Sequence, residues 1–248
     1  MSFADKVVIV TGASSGIGAA TAIKLAQEGA SVVIVGRNEE KLKNVSEKCN
    51  SYGNRHHVVK GDISVEAEAR RIVDETIKKY GKIDVLVNNA GILRLATITG
   101  GSMLDSYDEI VNTNLRPVIH LTTLTAAHLM ASKGNIVNIS SVAATKVTVG
   151  LSAYGTSKAA LDHFSKGAAL ELAPHGVRVN VISPGPVTTD IRENAGLPPF
   201  NIQGNYKIPL NRVSSSEEVA DLVLFLASDK AVGVTGSVFV VDNGLVLN

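Results

Sequence analysis

Short, unbroken apolar runs alternate along the chain with longer stretches in which apolar residues recur every three or four positions. Runs without polar alternation predict strands buried on both faces of a parallel sheet, and the periodic stretches predict helices packed over it. Strands are expected at Val7 to Thr11, Ser31 to Val35, His57 to Lys60, Ile83 to Val87, Gly134 to Ile139, Val177 to Ile182 and Ser237 to Val241. Helices are expected from behind Gly18 to a stop at Gly29, over Glu39 to about Tyr52, Val65 to Tyr80, Asp105 to about Met130, and Ser152 to about Ala173. A last helix runs to Ser228 behind two overlapping capping boxes, Ser214 with Glu217 and Ser215 with Glu218. The Asp105 helix should bend where Pro117 interrupts it near Asn114, because a proline inside a helix leaves a carbonyl without its donor. Asp190 to Asn211 carries Gly196, Pro198, Pro199, Gly204 and Pro209 with little periodicity, which predicts a lid or binding loop. The alternation as a whole predicts one α/β domain over residues 1–248, a doubly wound parallel sheet of seven strands flanked by helices.

Composition narrows the functional classes. A net charge of +1 argues against a nucleic-acid surface, and Lys and Arg are dispersed among acids. The apolar run Val7 to Val10 is too short for a signal segment or a membrane span. The single cysteine, Cys49, cannot form an internal disulfide. Its polar neighbours suggest the outer side of a helix and an inert thiol, and a cytoplasmic protein is expected. The six histidines lack ligand spacing, so no metal site is expected.

Chemistry gathers where strands end. The first strand runs into Thr11-Gly12-Ala13-Ser14-Ser15-Gly16-Ile17-Gly18 and then a helix, the setting in which backbone N–H groups at a helix start receive a phosphate. The second strand ends at Gly36-Arg37-Asn38, where a carboxylate would hold a ribose 2′-OH; a guanidinium there suits a 2′-phosphate, so NADP(H) is favoured over NAD(H). The third strand ends at Asp62-Ile63, a carboxylate able to accept from an adenine amino group or to enter a helix. The fourth delivers Asn88-Asn89-Ala90-Gly91, whose small residues let the backbone approach a cofactor. Ser140 and Ser141 end the fifth. Tyr154 and Lys158, four residues apart, share one helix face. An ammonium close to a phenol favours the phenolate, which would bring the tyrosine toward neutral titration.

In this order, Thr11 to Gly18, Asp62, Asn88 to Gly91, Asn114, Ser141, Tyr154 with Lys158, and Asn180 leading to Pro184-Gly185 and Thr189, the chain resembles the short-chain dehydrogenase/reductase family. The resemblance runs nearly end to end and implies a Rossmann-type fold and hydride transfer. It implies that Ser141 bonds the substrate oxygen, Tyr154 passes the proton, Lys158 bonds the nicotinamide ribose, and Asn114 holds a water linked to Lys158. The cofactor-binding set it implies is Gly12, Ser14, Ser15, Gly16, Ile17, Gly18, Arg37, Asn38, Asp62, Ile63, Asn89, Ala90, Gly91, Tyr154, Lys158, Pro184, Gly185, Val187 and Thr189. Family members with an arginine like Arg37 tend to use NADP(H). Many also carry a basic residue in the glycine turn, where this chain has Ser15.

The leading reading is an NADPH-dependent reductase of a small-molecule ketone or aldehyde with an apolar body, such as a steroid or isoprenoid. A second is reduction of 3-oxoacyl thioesters. Enoyl reduction fits less well, because that branch of the family separates tyrosine and lysine more widely. A non-catalytic nucleotide sensor is the reading from another class. Members of this length are usually tetramers, so a homotetramer is expected. Substrate choice is assigned to Leu93 to Gly101, Ala143 to Leu151 and Asp190 to Asn211.

Overall fold

The computed structural model describes residues 3–53, 56–200 and 207–248. Seven strands, β1 (Val7–Thr11), β2 (Ser31–Gly36), β3 (His57–Lys60), β4 (Val85–Asn88), β5 (Asn135–Ile139), β6 (Arg178–Pro184) and β7 (Val238–Val241), form one sheet in the order β3-β2-β1-β4-β5-β6-β7. All six pairings are parallel. Helices α1 (Gly16–Gln27), α2 (Glu39–Asn50), α3 (Glu66–Tyr80), α4 (Met103–Asn114), α5 (Arg116–Ser132), α6 (Ser152–Leu172) and α7 (Ser216–Ala227) supply the crossovers. Strand order reverses direction between β1 and β4, which opens a crevice at the carboxyl ends of those strands.

Why the strands lack polar alternation is visible in where neighbours go. Val8 and Val10 join the apolar cluster under α1, α2 and α7, while Ile9 between them joins the cluster under α3, α5 and α6. A strand residue points opposite to its neighbour, so a sheet covered on both faces demands apolar side chains at every position. Among the described residues no helix is long and apolar enough to cross a membrane.

Four expectations are corrected. The long helix expected from Asp105 is two helices: α4 ends at Asn114, Leu115 caps both, and Pro117 lies in the first turn of α5. Pro117 has no N–H to lose at that position, so it starts a helix cleanly where it would have broken one. Of the two capping boxes, only Ser215 with Glu218 forms, and Ser214 instead accepts a hydrogen bond from Asn243 at 2.9 Å. Cys49 is not on an outer face. It completes the buried stripe Leu42, Val45, Cys49 of α2 and lies in the core. The apolar residues Ala159, Ala160, Leu161, Phe164, Ala168, Leu170 and Leu172 predict the inner face of α6, but Ala159 and Leu170 are exposed and the buried stripe runs through Tyr154, Ser157, Lys158, Leu161, Ser165, Ala168 and Ala169. In the loop Asp190 to Asn211, residues 201–206, Gly204 among them, lie outside the described residues.

Candidate active site

The glycine turn after β1 is shaped by close approach. Gly12 has φ +63°, and a Cβ there would meet the Ala90 backbone at 2.7 Å. A Cβ on Gly18 would lie 2.3 Å from the Gly12 carbonyl oxygen, so α1 packs directly on the turn. Asn89 holds the turn from β4: its Nδ2 donates to the carbonyls of Thr11 at 3.0 Å and Gly12 at 3.1 Å. At the start of α1, Ser15 makes no side-chain cap and the first turn holds no acid, whereas α2, α3, α4 and α7 all carry acids there. The amino end of α1 therefore offers uncapped N–H groups and a positive dipole end, which fits a pyrophosphate.

At the end of β2, Arg37 faces Asp62 across 3.4 Å. Asn38 caps α2, its Oδ1 accepting from Lys41 N–H at 2.9 Å. Burial pushes Asp62 up, but hydrogen bonds from Ser64 and the Arg37 charge outweigh it and hold the carboxyl below its ordinary range. No carboxylate stands on the strand end itself, so the residues present fit a phosphorylated ribose.

Beside β4 and β5 the catalytic candidates converge. A ladder of buried amides positions them: Asn88 Nδ2 donates to Asn138 Oδ1, and Asn138 Nδ2 to Ser165 Oγ, each at 2.8 Å, tying β4, β5 and α6 together. Ser141 caps the turn after β5, accepting from Ala143 N–H at 3.1 Å, and lines the same cavity as Tyr154. Lys158 Nζ lies 5.7 Å from the Tyr154 ring centroid and donates to the Ile139 carbonyl at 2.9 Å. Burial pushes the phenol up to about 12, against the lowering influence of the nearby Ser141 hydroxyl. Burial also pushes Lys158 down to about 8, partly offset by Asp162 one turn along α6. The expected lowering of the phenol by the lysine is thus absent here: a desolvated phenol keeps its proton when the ammonium is turned toward a backbone carbonyl.

One cavity of about 820 Å³ joins these parts. It is lined by Gly12, Ser14, Ser15, Gly16, Ile17, Arg37, Asn38, Asp62, Ile63, Asn89, Ala90, Gly91, Ser141, Tyr154, Lys158, Pro184, Gly185, Val187 and Thr189. Gly18 and Asn114 stand behind that lining. Asn114 pairs with the loop after β4, its Oδ1 accepting from Ile92 N–H at 2.8 Å and its Nδ2 donating to Ile92 C=O at 2.9 Å. Those bonds fix the Asn114 side chain and leave Oδ1 one further lone pair and Nδ2 one further proton, and its main chain lies at the break between α4 and α5.

The far end of the cavity has apolar walls, Ile92, Leu93, Val142, Ala143, Leu151, Ile191, Phe200 and Leu245, interleaved with Arg94, Lys146, Thr148, Arg192 and Asn194. Val147 and Val149, inside the stretch expected to line the pocket, instead point outward and are about nine-tenths exposed. Sequence reasoning missed Leu245 and Lys41, which also line the cavity. Lys41 carried a readable signal, three residues beyond Asn38 on a helix starting at a strand end. Leu245 carried none.

A sequence profile described as enoyl-(acyl carrier protein) reductase matches residues 12–246. The structure superposes with TM-score 0.93 on a short-chain dehydrogenase/reductase from Caenorhabditis elegans crystallised with cofactor, 37% identical, covering 99% of this chain and 96% of that one. The chain belongs to the short-chain dehydrogenase/reductase family. This family member is also similar to a 3-oxoacyl-(acyl-carrier-protein) reductase of Thermotoga maritima, 36% identical over 100% of both chains. It is 40% identical to the protein of that name in Aquifex aeolicus over 97% of both chains. A glucose 1-dehydrogenase of Gluconobacter oxydans is 36% identical over 99% of this chain and 93% of that one. A Burkholderia cenocepacia short-chain dehydrogenase in complex with NADP superposes with TM-score 0.90, 32% identical over 99% of both chains. This dehydrogenase/reductase is an oxidoreductase by family, and the names its relatives carry match the thioester reading better than the steroid or isoprenoid one.

Proposed function

We propose that this protein is a cytoplasmic, homotetrameric NADP(H)-dependent reductase acting on the 3-carbonyl of a 3-oxoacyl thioester, or on a ketone of similar shape with an apolar body. The observation that carries the reading is that Ser141, Tyr154 and Lys158 line a single cavity together with the phosphate-fitting turn and a set of apolar side chains beyond it. Bound NADPH supplies the hydride. The chain does the rest. Ser141 and Tyr154 together bond the substrate carbonyl oxygen and turn its carbon toward the nicotinamide. Burial keeps Tyr154 protonated, so the phenol Oη–H is available to protonate that oxygen as charge builds on it. Lys158, charged below about 8 and held on the Ile139 carbonyl, would bond the nicotinamide ribose and favour the phenolate that forms. Val187 and Thr189 would hold the carboxamide, and Arg37 the 2′-phosphate. The close spacing of Tyr154 and Lys158 supports carbonyl rather than enoyl reduction.

The relatives' names support the thioester, and the apolar end of the cavity supports an acyl chain over a sugar. Exposed Leu104, Ile119 and Leu170 on α4, α5 and α6 support self-association. A panel assay decides the substrate class. NADPH oxidation is followed with an acetoacetyl thioester, a 3-keto steroid and a farnesal-like aldehyde, and NADP⁺ reduction with glucose. The thioester should give the highest kcat/KM. A tenfold advantage for any other member would replace it, and NADPH binding without turnover on the whole panel would support the nucleotide-sensor reading.

A further inference from the structure

The adenosine end of the cavity holds a second cation beside Arg37. Lys41, in the first turn of α2, lines the cavity together with Arg37, Asn38 and Asp62, and its Nζ meets Asp190 Oδ2 at 2.5 Å. Asp190 comes from the opposite bank of the crevice, directly after Thr189, whose methyl packs against the glycine turn within 2.9 Å of where a Gly16 Cβ would be. Arg37 and Lys41 are thus each parked on a carboxylate, Asp62 and Asp190, on the same stretch of cavity wall. Of the other charges nearby, Glu39 is paired with Lys60 at 2.8 Å, Arg192 is turned onto the Pro198 carbonyl at 2.7 Å and the Phe200 ring, and Glu193 adds to the negative field that Asp190 places around Lys41.

A ribose 2′-phosphate carries close to two negative charges. Ser14 and Ser15 bring no charge to it from the glycine turn, and one guanidinium neutralises only part of it. We propose that Lys41 is the second determinant of 2′-phosphate recognition, leaving Asp190 for the phosphate when the nucleotide enters. This inference rests on the NADP(H) reading. An ammonium on a flexible four-carbon stem can exchange a carboxylate for a dianion with three acceptor oxygens while its helix stays in place. Both ion-pair partners are partly exposed, so the pair in the free protein is weak and readily given up.

The test is calorimetric binding of 2′,5′-ADP and 5′-AMP, which differ only in the 2′-phosphate, to the full chain, without turnover. The wild type should bind 2′,5′-ADP more tightly. Lys41→Gln, which keeps the stem and removes the charge, should weaken 2′,5′-ADP by about tenfold and leave 5′-AMP unchanged, as expected for one charge-assisted contact. Asp190→Asn should act in the opposite direction, tightening 2′,5′-ADP, because the ammonium no longer has a competing partner. If Lys41→Gln weakens both nucleotides equally, or neither, Lys41 is not a determinant. If Asp190→Asn weakens 2′,5′-ADP as much as Lys41→Gln does, the ion pair rather than the ammonium builds the site, and the proposal fails. A wild type with no preference for 2′,5′-ADP would overturn the NADP(H) reading itself. A preference abolished by Arg37→Ala but untouched by Lys41→Gln would overturn only this inference.

Discussion

The two ends of the cavity are built differently. At the cofactor end most lining residues follow directly on the ends of β1, β2, β3, β4 and β6, and the turn after β1 is packed so closely that Gly12 and the Gly18 behind it tolerate no side chain. At the substrate end the walls come from four separate pieces of chain: the loop after β4, the turn after β5, the loop after β6 and the tail at Leu245. Val142, Leu245 and Ile208 form a small cluster of their own there, apart from the clusters that cover the sheet. The sheet fixes the first end. Side chains packed against one another fix the second, so substitutions can reshape it without disturbing nucleotide binding.

Tyr154 stands on the seam and gives the sharpest test of that division. Tyr154→Phe should lower kcat by about 10³-fold or more, the scale of a lost general acid, with nucleotide affinity nearly unchanged. Loss of nucleotide binding in that variant would mean the two ends are not separable.

Burial at the seam also predicts a pH signature. Lys158 titrates at about 8 in the folded chain against 10.5 in its ordinary state, so between those values the unfolded chain binds more protons and stability rises with pH. Tyr154 acts in the reverse sense, because its folded value of about 12 exceeds the ordinary 10.0 and the unfolded chain releases its proton first. Cys49, at about 11 in the folded chain against an ordinary 9.0, acts in the same reverse sense, so denaturant unfolding should show stability rising by about 1 kcal/mol or less from pH 8 to 9, levelling toward 10 and falling above that. Lys158→Met should abolish the rise and be the more stable protein at pH 7. A flat profile in the wild type would place the ammonium in water rather than in the seam.

Within the cofactor end, Gly18→Ala puts a methyl against the Gly12 carbonyl and Asn89 Nδ2, 2.3 and 2.4 Å from its Cβ. It should cost about 1–3 kcal/mol of stability and weaken the nucleotide while leaving the substrate ranking as it was. The smallest effect belongs to the far wall. Leu245→Met keeps side-chain volume, so stability should change by less than about 1.5 kcal/mol, while the order of KM values across acyl chain lengths shifts two- to fivefold by the scale of a methylene in an apolar pocket. An unchanged order would remove Leu245 from the substrate wall.

This division also explains what could be read from the chain alone. Strands buried on both faces announce themselves as apolar runs, and where the turn after β1 packs against Ala90, Asn89 and itself with no room for a side chain, glycines mark it. The fold and the order of the turns at the strand ends were legible for that reason. Leu245 was not, because a tail residue acquires its meaning from Val142 and Ile208, far away in sequence. Cys49 was misplaced because Lys48 and Asn50 flank it, although its spacing from Val45 and Leu42 is that of a buried stripe. Pro117 misled in the other direction, since a proline that breaks one helix and a proline that opens the next look alike without Leu115 between them. The titration of Tyr154 depends on burial and on where the Lys158 ammonium turns, and neither is written in the four-residue spacing.

The misplaced cysteine has a practical side. Cys49 is the chain's one thiol, buried under α2 and held up at about 11 by that burial, so neither the thiolate nor access to it exists while the helix is seated. Its alkylation rate is consequently a clock for how often α2 lifts from the sheet, needing no introduced label. Because α2 begins where the adenosine phosphate is proposed to bind, added 2′,5′-ADP should slow that clock, and 5′-AMP should slow it less.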